Sequence, residues 1–97
     1  MNEDSKKIID FKNNYLKENY QKYKEICNNF YYRKMIRNKF FWPANVLYDE
    51  AYDIITALEK NEIPDSCREF AQVLAIVSLA AIKENKLDDT KKLVRKK

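Results

Sequence analysis

Ninety-seven residues carrying a net charge of +4, with no histidine and no glycine, leave little room for enzyme chemistry. Without histidine there is no imidazole base, no Ser-His-Asp or Cys-His nucleophile and no histidine metal ligand. Without glycine there is neither a P-loop nor a dinucleotide-binding fingerprint. Hydrophobic residues at 45% and charged residues at 35% suffice for one buried core, so 1–97 reads as a single helical domain.

The missing glycine also bears on fold class. Hairpins and bulges ordinarily draw on glycine, whereas helix ends accept asparagine in the left-handed conformation. The chain has ten asparagines. These features predict an all-α fold, a small antiparallel bundle of four to five helices at about 5–27, 30–41, 44–60, 66–84 and 89–96.

In the first segment, Leu16, Tyr20, Tyr23, Cys27 and Phe30 recur at helical spacing, and Ile8, Phe11 and Tyr15 widen the stripe. Asp4 or Ser5 is the expected N-cap. The stripe does not hold its angle past Asn28–Asn29, which predicts a break there. A short helix over 30–41 follows, with a core face of Tyr31, Tyr32, Met35 and Ile36 and a basic face of Arg33, Lys34 and Arg37. Pro43 ends that segment by biasing Trp42 away from helical geometry.

The third helix has an inner stripe of Leu47, Ala51, Ile54 and Leu58, flanked by Tyr48, Tyr52 and Ile55. The fourth opens on a capping box, Ser66-x-x-Glu69. Apart from Gln72 and Ser78 it is apolar on every face over 70–82, which predicts a central helix buried on most sides. The fifth is short and anchored by Leu93 and Val94.

Two turns share a pattern: "ALEKNEIPDS" (57–66) and "AIKENKLDDT" (81–90) align at an offset of 24. In each, an asparagine (Asn61, Asn85) is placed to supply the left-handed residue, an aliphatic (Ile63, Leu87) packs back, and Asp, Ser or Thr caps the next helix. The second turn resembles a tetratricopeptide hairpin, through Leu74, Val77, Ser78 and Ala81 before it and Asn85, Leu87 and Thr90 after. That resemblance implies an antiparallel helix pair across Asn85. The offset departs from the family's roughly 34-residue repeat, so the likeness is one of hairpin physics.

Cys27 and Cys67 lack metal or redox spacing and read as a reduced pair. The opening "MNEDSKKIIDF" has no apolar h-region, so no signal peptide is expected. The longest apolar run, "FAQVLAIVSLAAI", is shorter than the ~18 residues a bilayer span needs. A soluble, cytoplasmic protein is the expectation. Asp49, Glu50 and Asp53 share one side of a helix, but near its N-terminus they read as a solvated acidic face. Cys67 at a helix start reads as an idle thiol rather than a reactive one. No catalytic residue, metal or cofactor is expected.

Charge is unevenly distributed. Residues 1–42 hold ten cations and five acids, residues 43–90 hold four and ten, and the tail 91–97 adds five cations. The segment "FYYRKMIRNKFFW" (30–42) concentrates six aromatics and four cations with no carboxylate. It has four readings: core with a solvated basic face, a protein-binding patch, a nucleic-acid surface, or a membrane-interface anchor. Phe30, Arg33, Lys34, Arg37, Phe41 and Trp42 are the candidate partner-binding residues.

The expected function is non-catalytic: a regulatory, inhibitory or immunity-type module that binds another protein. The alternative is a nucleic-acid-binding module using the basic face at 33–39 and the tail Lys91, Lys92, Arg95, Lys96 and Lys97. A membrane surface is not expected; a homodimer through an exposed remnant of Phe40–Trp42 is compatible with the pattern. Size, helix content, few cysteines and basic ends are similar to the cytosolic immunity proteins of class II bacteriocins, which are four-helix bundles.

Overall fold

A computed structural model describes the backbone over residues 3–95 and the side chains over 5–84. Among the described residues there are five α-helices and no strand: α1 Glu3–Glu18, α2 Tyr20–Cys27, α3 Phe30–Asn38, α4 Ala44–Glu59 and α5 Asp65–Arg95. The expected all-α bundle is what forms, although its helices are divided differently.

The central helix follows from its composition. Val73, Ala75, Ile76, Val77, Leu79, Ala80, Ala81 and Ile82 of α5 are all buried. A helix apolar on every face must be surrounded, and its alanines allow close approach by neighbours. From α4, Leu47, Tyr48, Ala51 and Ile55 enter the same core, joined by Leu16, Ile26 and Ile36 from α1, α2 and α3. Glu50 meets Ser78 and Leu58 meets Arg68, so α4 and α5 run in opposite directions. Phe70, expected in the core, is instead exposed at the start of α5, before its neighbours close over it.

The α4–α5 turn forms as expected. Asn61 adopts φ 59°, the only positive φ among the described residues. The Asn61 N–H donates to Leu58 O and the Glu62 N–H to Ala57 O, the paired bonds of a Schellman motif. The Ser66–Glu69 capping box does not form. Helix α5 begins one residue earlier, at Asp65, and the Glu69 carboxylate is taken by Lys22 at 2.9 Å.

The second turn, and with it the tetratricopeptide-like hairpin, is absent: α5 continues through Asn85 to Arg95 without a break. The 89–96 segment is therefore no separate helix. Asparagine permits a left-handed residue but does not compel one, and no proline follows Asn85 as Pro64 follows Asn61. The side chains of Leu93, Val94 and the basic tail lie outside the described residues.

The first segment, expected as one helix over 5–27, is divided at Asn19. The Asn19 side chain donates to Tyr15 O and accepts from Gln72, so side-chain bonding competes with the helical ladder. This kink resets the buried face. Ile26 becomes core at 1% exposure, while Tyr20 and Phe30, expected on the inner stripe, are 53% and 67% exposed. Asp4 and Ser5, expected as caps, lie inside the first turn of α1. The break at Asn28–Asn29 occurs where expected, with Asn29 Oδ1 accepting from the N–H groups of Tyr31 and Tyr32.

Three ion pairs, Lys22–Glu69, Arg33–Glu84 and Lys39–Glu50, join the described residues. Each takes its cation from the basic first part of the chain and its carboxylate from the acidic part. The charge asymmetry of the sequence is thus partly consumed inside the fold.

Candidate interaction surface

Helix α3 positions the aromatic and basic segment. Its buried arc is centred on Ile36, with no exposure, and flanked by partly buried Tyr32 and Met35. Relative to the expected core face, the helix is rotated by roughly 60° at ~100° per residue. The rotation carries Tyr31 outward to 73% exposure and Arg33 inward. It is tolerated because α5 offers Arg33 a partner. The Arg33 Nη1 and Nη2 groups donate to Glu84 Oε2 and Oε1 at 2.7 and 3.1 Å. The Glu84 hydrogen bonds raise the guanidinium pKa further above its ordinary value. Arg33 is therefore a fold residue and leaves the candidate partner-binding set, while Tyr31 joins it.

The other candidates lie outward. Phe30 and Phe41 are 67% and 77% exposed, and Trp42 is 44% exposed. Lys34 and Arg37 are exposed between them, and neither has a carboxylate partner among the described residues. Lys34 Nζ stands 4.8 Å from the centroid of the Phe30 ring, and Tyr31 meets the same ring edge-on at 5.7 Å. Helix α3 ends at Asn38, short of the expected Phe41. The turn that follows is tight, with Phe40 N–H donating to Arg37 O and Trp42 N–H to Lys39 O. It tucks Phe40 against the core and leaves Phe41 and Trp42 outside.

Below this turn, Lys39 Nζ donates to Glu50 Oε1 at 2.6 Å while lying 5.0 Å from the Trp42 ring centroid. The fully buried Ser78 hydroxyl donates to the same oxygen at 2.7 Å. Burial acts to raise the Glu50 pKa, but the bonds from Lys39 and Ser78 outweigh it and hold the carboxyl below its ordinary value. Glu50 is thus turned inward, whereas Asp49 and Asp53 are exposed on α4. The three acids do not converge. Cys27 is half-buried, Cys67 is exposed, and neither is in a disulfide.

A cleft of about 310 Å³, lined by Tyr15, Ile55, Leu58, Glu59, Arg68 and Gln72 among others, has no counterpart in the sequence reading. No periodicity links residues from three helices. Two of its polar side chains are engaged within the fold: Arg68 donates to Leu58 O and Asn61 Oδ1, and Gln72 to Asn19. Burial is the main reason the Tyr15 hydroxyl pKa is raised, which keeps it protonated.

Among the described residues no helix is long and apolar enough to cross a membrane. Comparison with protein-family models, curated proteins and solved structures finds no match to this chain.

Proposed function

We propose that this protein is non-catalytic and works by binding another protein through the outer side of α3 and the turn after it, as a cytoplasmic regulatory, inhibitory or immunity-type module. The observation that carries this reading is the exposure of Phe30, Tyr31, Phe41 and Trp42 around Lys34 and Arg37. Large aromatics clustered outside the core form a surface that water disfavours. Aromatics and arginine are also the residue types that dominate binding energy at protein interfaces.

Nuclease-treated capture from the native host lysate tests the reading. A specific protein partner should be retained by the wild type and lost by Phe30→Ala/Phe41→Ala, with the melting temperature of the bait preserved. Retention of the partner by that variant overturns it.

The nucleic-acid reading has a narrower base. Of its four helix and turn cations, Arg33 and Lys39 are held by carboxylates, leaving Lys34 and Arg37 beside the aromatics. Those two alone give a salt slope of about −2 on duplex DNA, which steepens by about one for each of Lys91, Lys92, Arg95, Lys96 and Lys97, outside the described side chains, that also meets a phosphate. Absence of DNA and RNA binding at low salt removes this alternative.

A further inference from the structure

Resting on the protein-binding reading above, we propose that the partner offers an acidic amphipathic helix to α3, with carboxylates opposite Lys34 and Arg37 and apolar side chains opposite the aromatic pairs at either end. The sign of the charge comes first. Residues 30–42 contain no carboxylate, and the cations of this segment that face inward are already neutralised by Glu84 and Glu50. The two that remain, Lys34 and Arg37, are exposed and stand one turn apart on one side of the helix. An acidic partner gains at both positions, whereas a basic one is repelled there.

The apolar ends give the length. Phe30 and Tyr31 open the stripe, α3 runs nine residues to Asn38, about 13 Å at ~1.5 Å per residue, and Phe41 and Trp42 close the stripe in the turn beyond. A partner helix of about three turns spans that distance. Side chains one turn apart on such a helix match the spacing of Lys34 and Arg37, as in other helix-on-helix recognition. An added strand would need an open sheet edge, and none exists among the described residues.

A second copy docking α3 on α3 is disfavoured by the same charges, since Lys34 and Arg37 would face their own counterparts. The acidic residues Asp49 and Asp53, exposed on α4, are the self-binding route that the experiment must separate.

The test uses the sole tryptophan, Trp42, as the fluorescent reporter. The probe is a synthetic amphipathic helical peptide with leucines at the ends of its apolar stripe and two glutamates between them. Its control carries lysines in place of the glutamates. The glutamate peptide should bind at least about tenfold more tightly than the lysine peptide. Lys34→Glu/Arg37→Glu should invert that preference without shifting the melting temperature. Equal binding of both peptides, no binding of the glutamate peptide, or failure to invert overturns the proposal. So does sedimentation showing a dimer that Asp49→Lys/Asp53→Lys dissolves, which assigns the surface to a second copy.

The two levels separate in the lysate capture. If the partner is lost by Phe30→Ala/Phe41→Ala but kept by Lys34→Glu/Arg37→Glu, protein binding stands and the acidic helix falls.

Discussion

Arg33 and Glu84, far apart in sequence, meet in a two-pronged ion pair at 2.7 and 3.1 Å. The pair fixes α3 against the central helix. Both side chains are less than a third exposed, so solvent screens the interaction only in part. Either Arg33→Ala or Glu84→Gln should lower unfolding free energy by about 1–2 kcal/mol in urea. Lys34→Ala, one residue along but outside the fold, should stay within about 0.5 kcal/mol of the wild type. Equal effects at the two positions would contradict the rotation of α3 described above.

Glu50 makes stability depend on acid. Its folded-state pKa lies below the ordinary value of 4.5, so folding favours the ionised form. That contribution is complete above about pH 4.5 and disappears as pH falls through the lowered folded value. Glu50→Gln should cost about 1 kcal/mol at neutral pH, a figure reduced for the partial exposure of the carboxylate. The difference between variant and wild type should shrink toward pH 3. Thermal melts across that range decide it.

At the α4–α5 turn, Asn61 sits at φ 59° and accepts from Arg68 Nη1 at 3.1 Å. Asn61→Ala places a Cβ in left-handed backbone and removes that acceptor. A loss of about 1–2 kcal/mol is expected on chemical denaturation. Asn85 lies within continuous helix, so Asn85→Ala should be neutral or slightly stabilising, because alanine is the better helix former.

Core and surface on α3 separate by mutation. Ile36 is fully buried, and Ile36→Ala should destabilise by about 2–5 kcal/mol through lost burial and the cavity left behind. Phe30→Ala and Tyr31→Ala remove more atoms, yet both side chains are mostly exposed. Each should change stability by less than about 0.5 kcal/mol. Differential scanning calorimetry of the three variants distinguishes a binding face from a second core face.

Of the proposed surface, the sequence indicated Phe30, Lys34, Arg37, Phe41 and Trp42 and misassigned Arg33 and Tyr31. The error was one of helix rotation. Counting angles along an isolated helix places the four apolar side chains of Tyr31, Tyr32, Met35 and Ile36 inward together. It cannot register that Glu84 on another helix makes Arg33 acceptable inside. Asn19 was equally silent, since its bond from Gln72 joins residues distant in the chain.

By itself the sequence determined the helical class, the central burial of most of the 70–82 stretch, the break at Asn28–Asn29 and the left-handed turn at Asn61. These are local or compositional: absent glycine, an apolar surface on every side, and asparagines at helix ends. Tertiary structure alone decided the kink at Asn19 and which side of α3 meets the core. The kink goes with the Gln72–Asn19 bond to α5, and the α3 rotation with the Arg33–Glu84 pair and the apolar area buried against α5. Neither is a property of any one segment, because pairing energy exists only once the fold has brought the partners together.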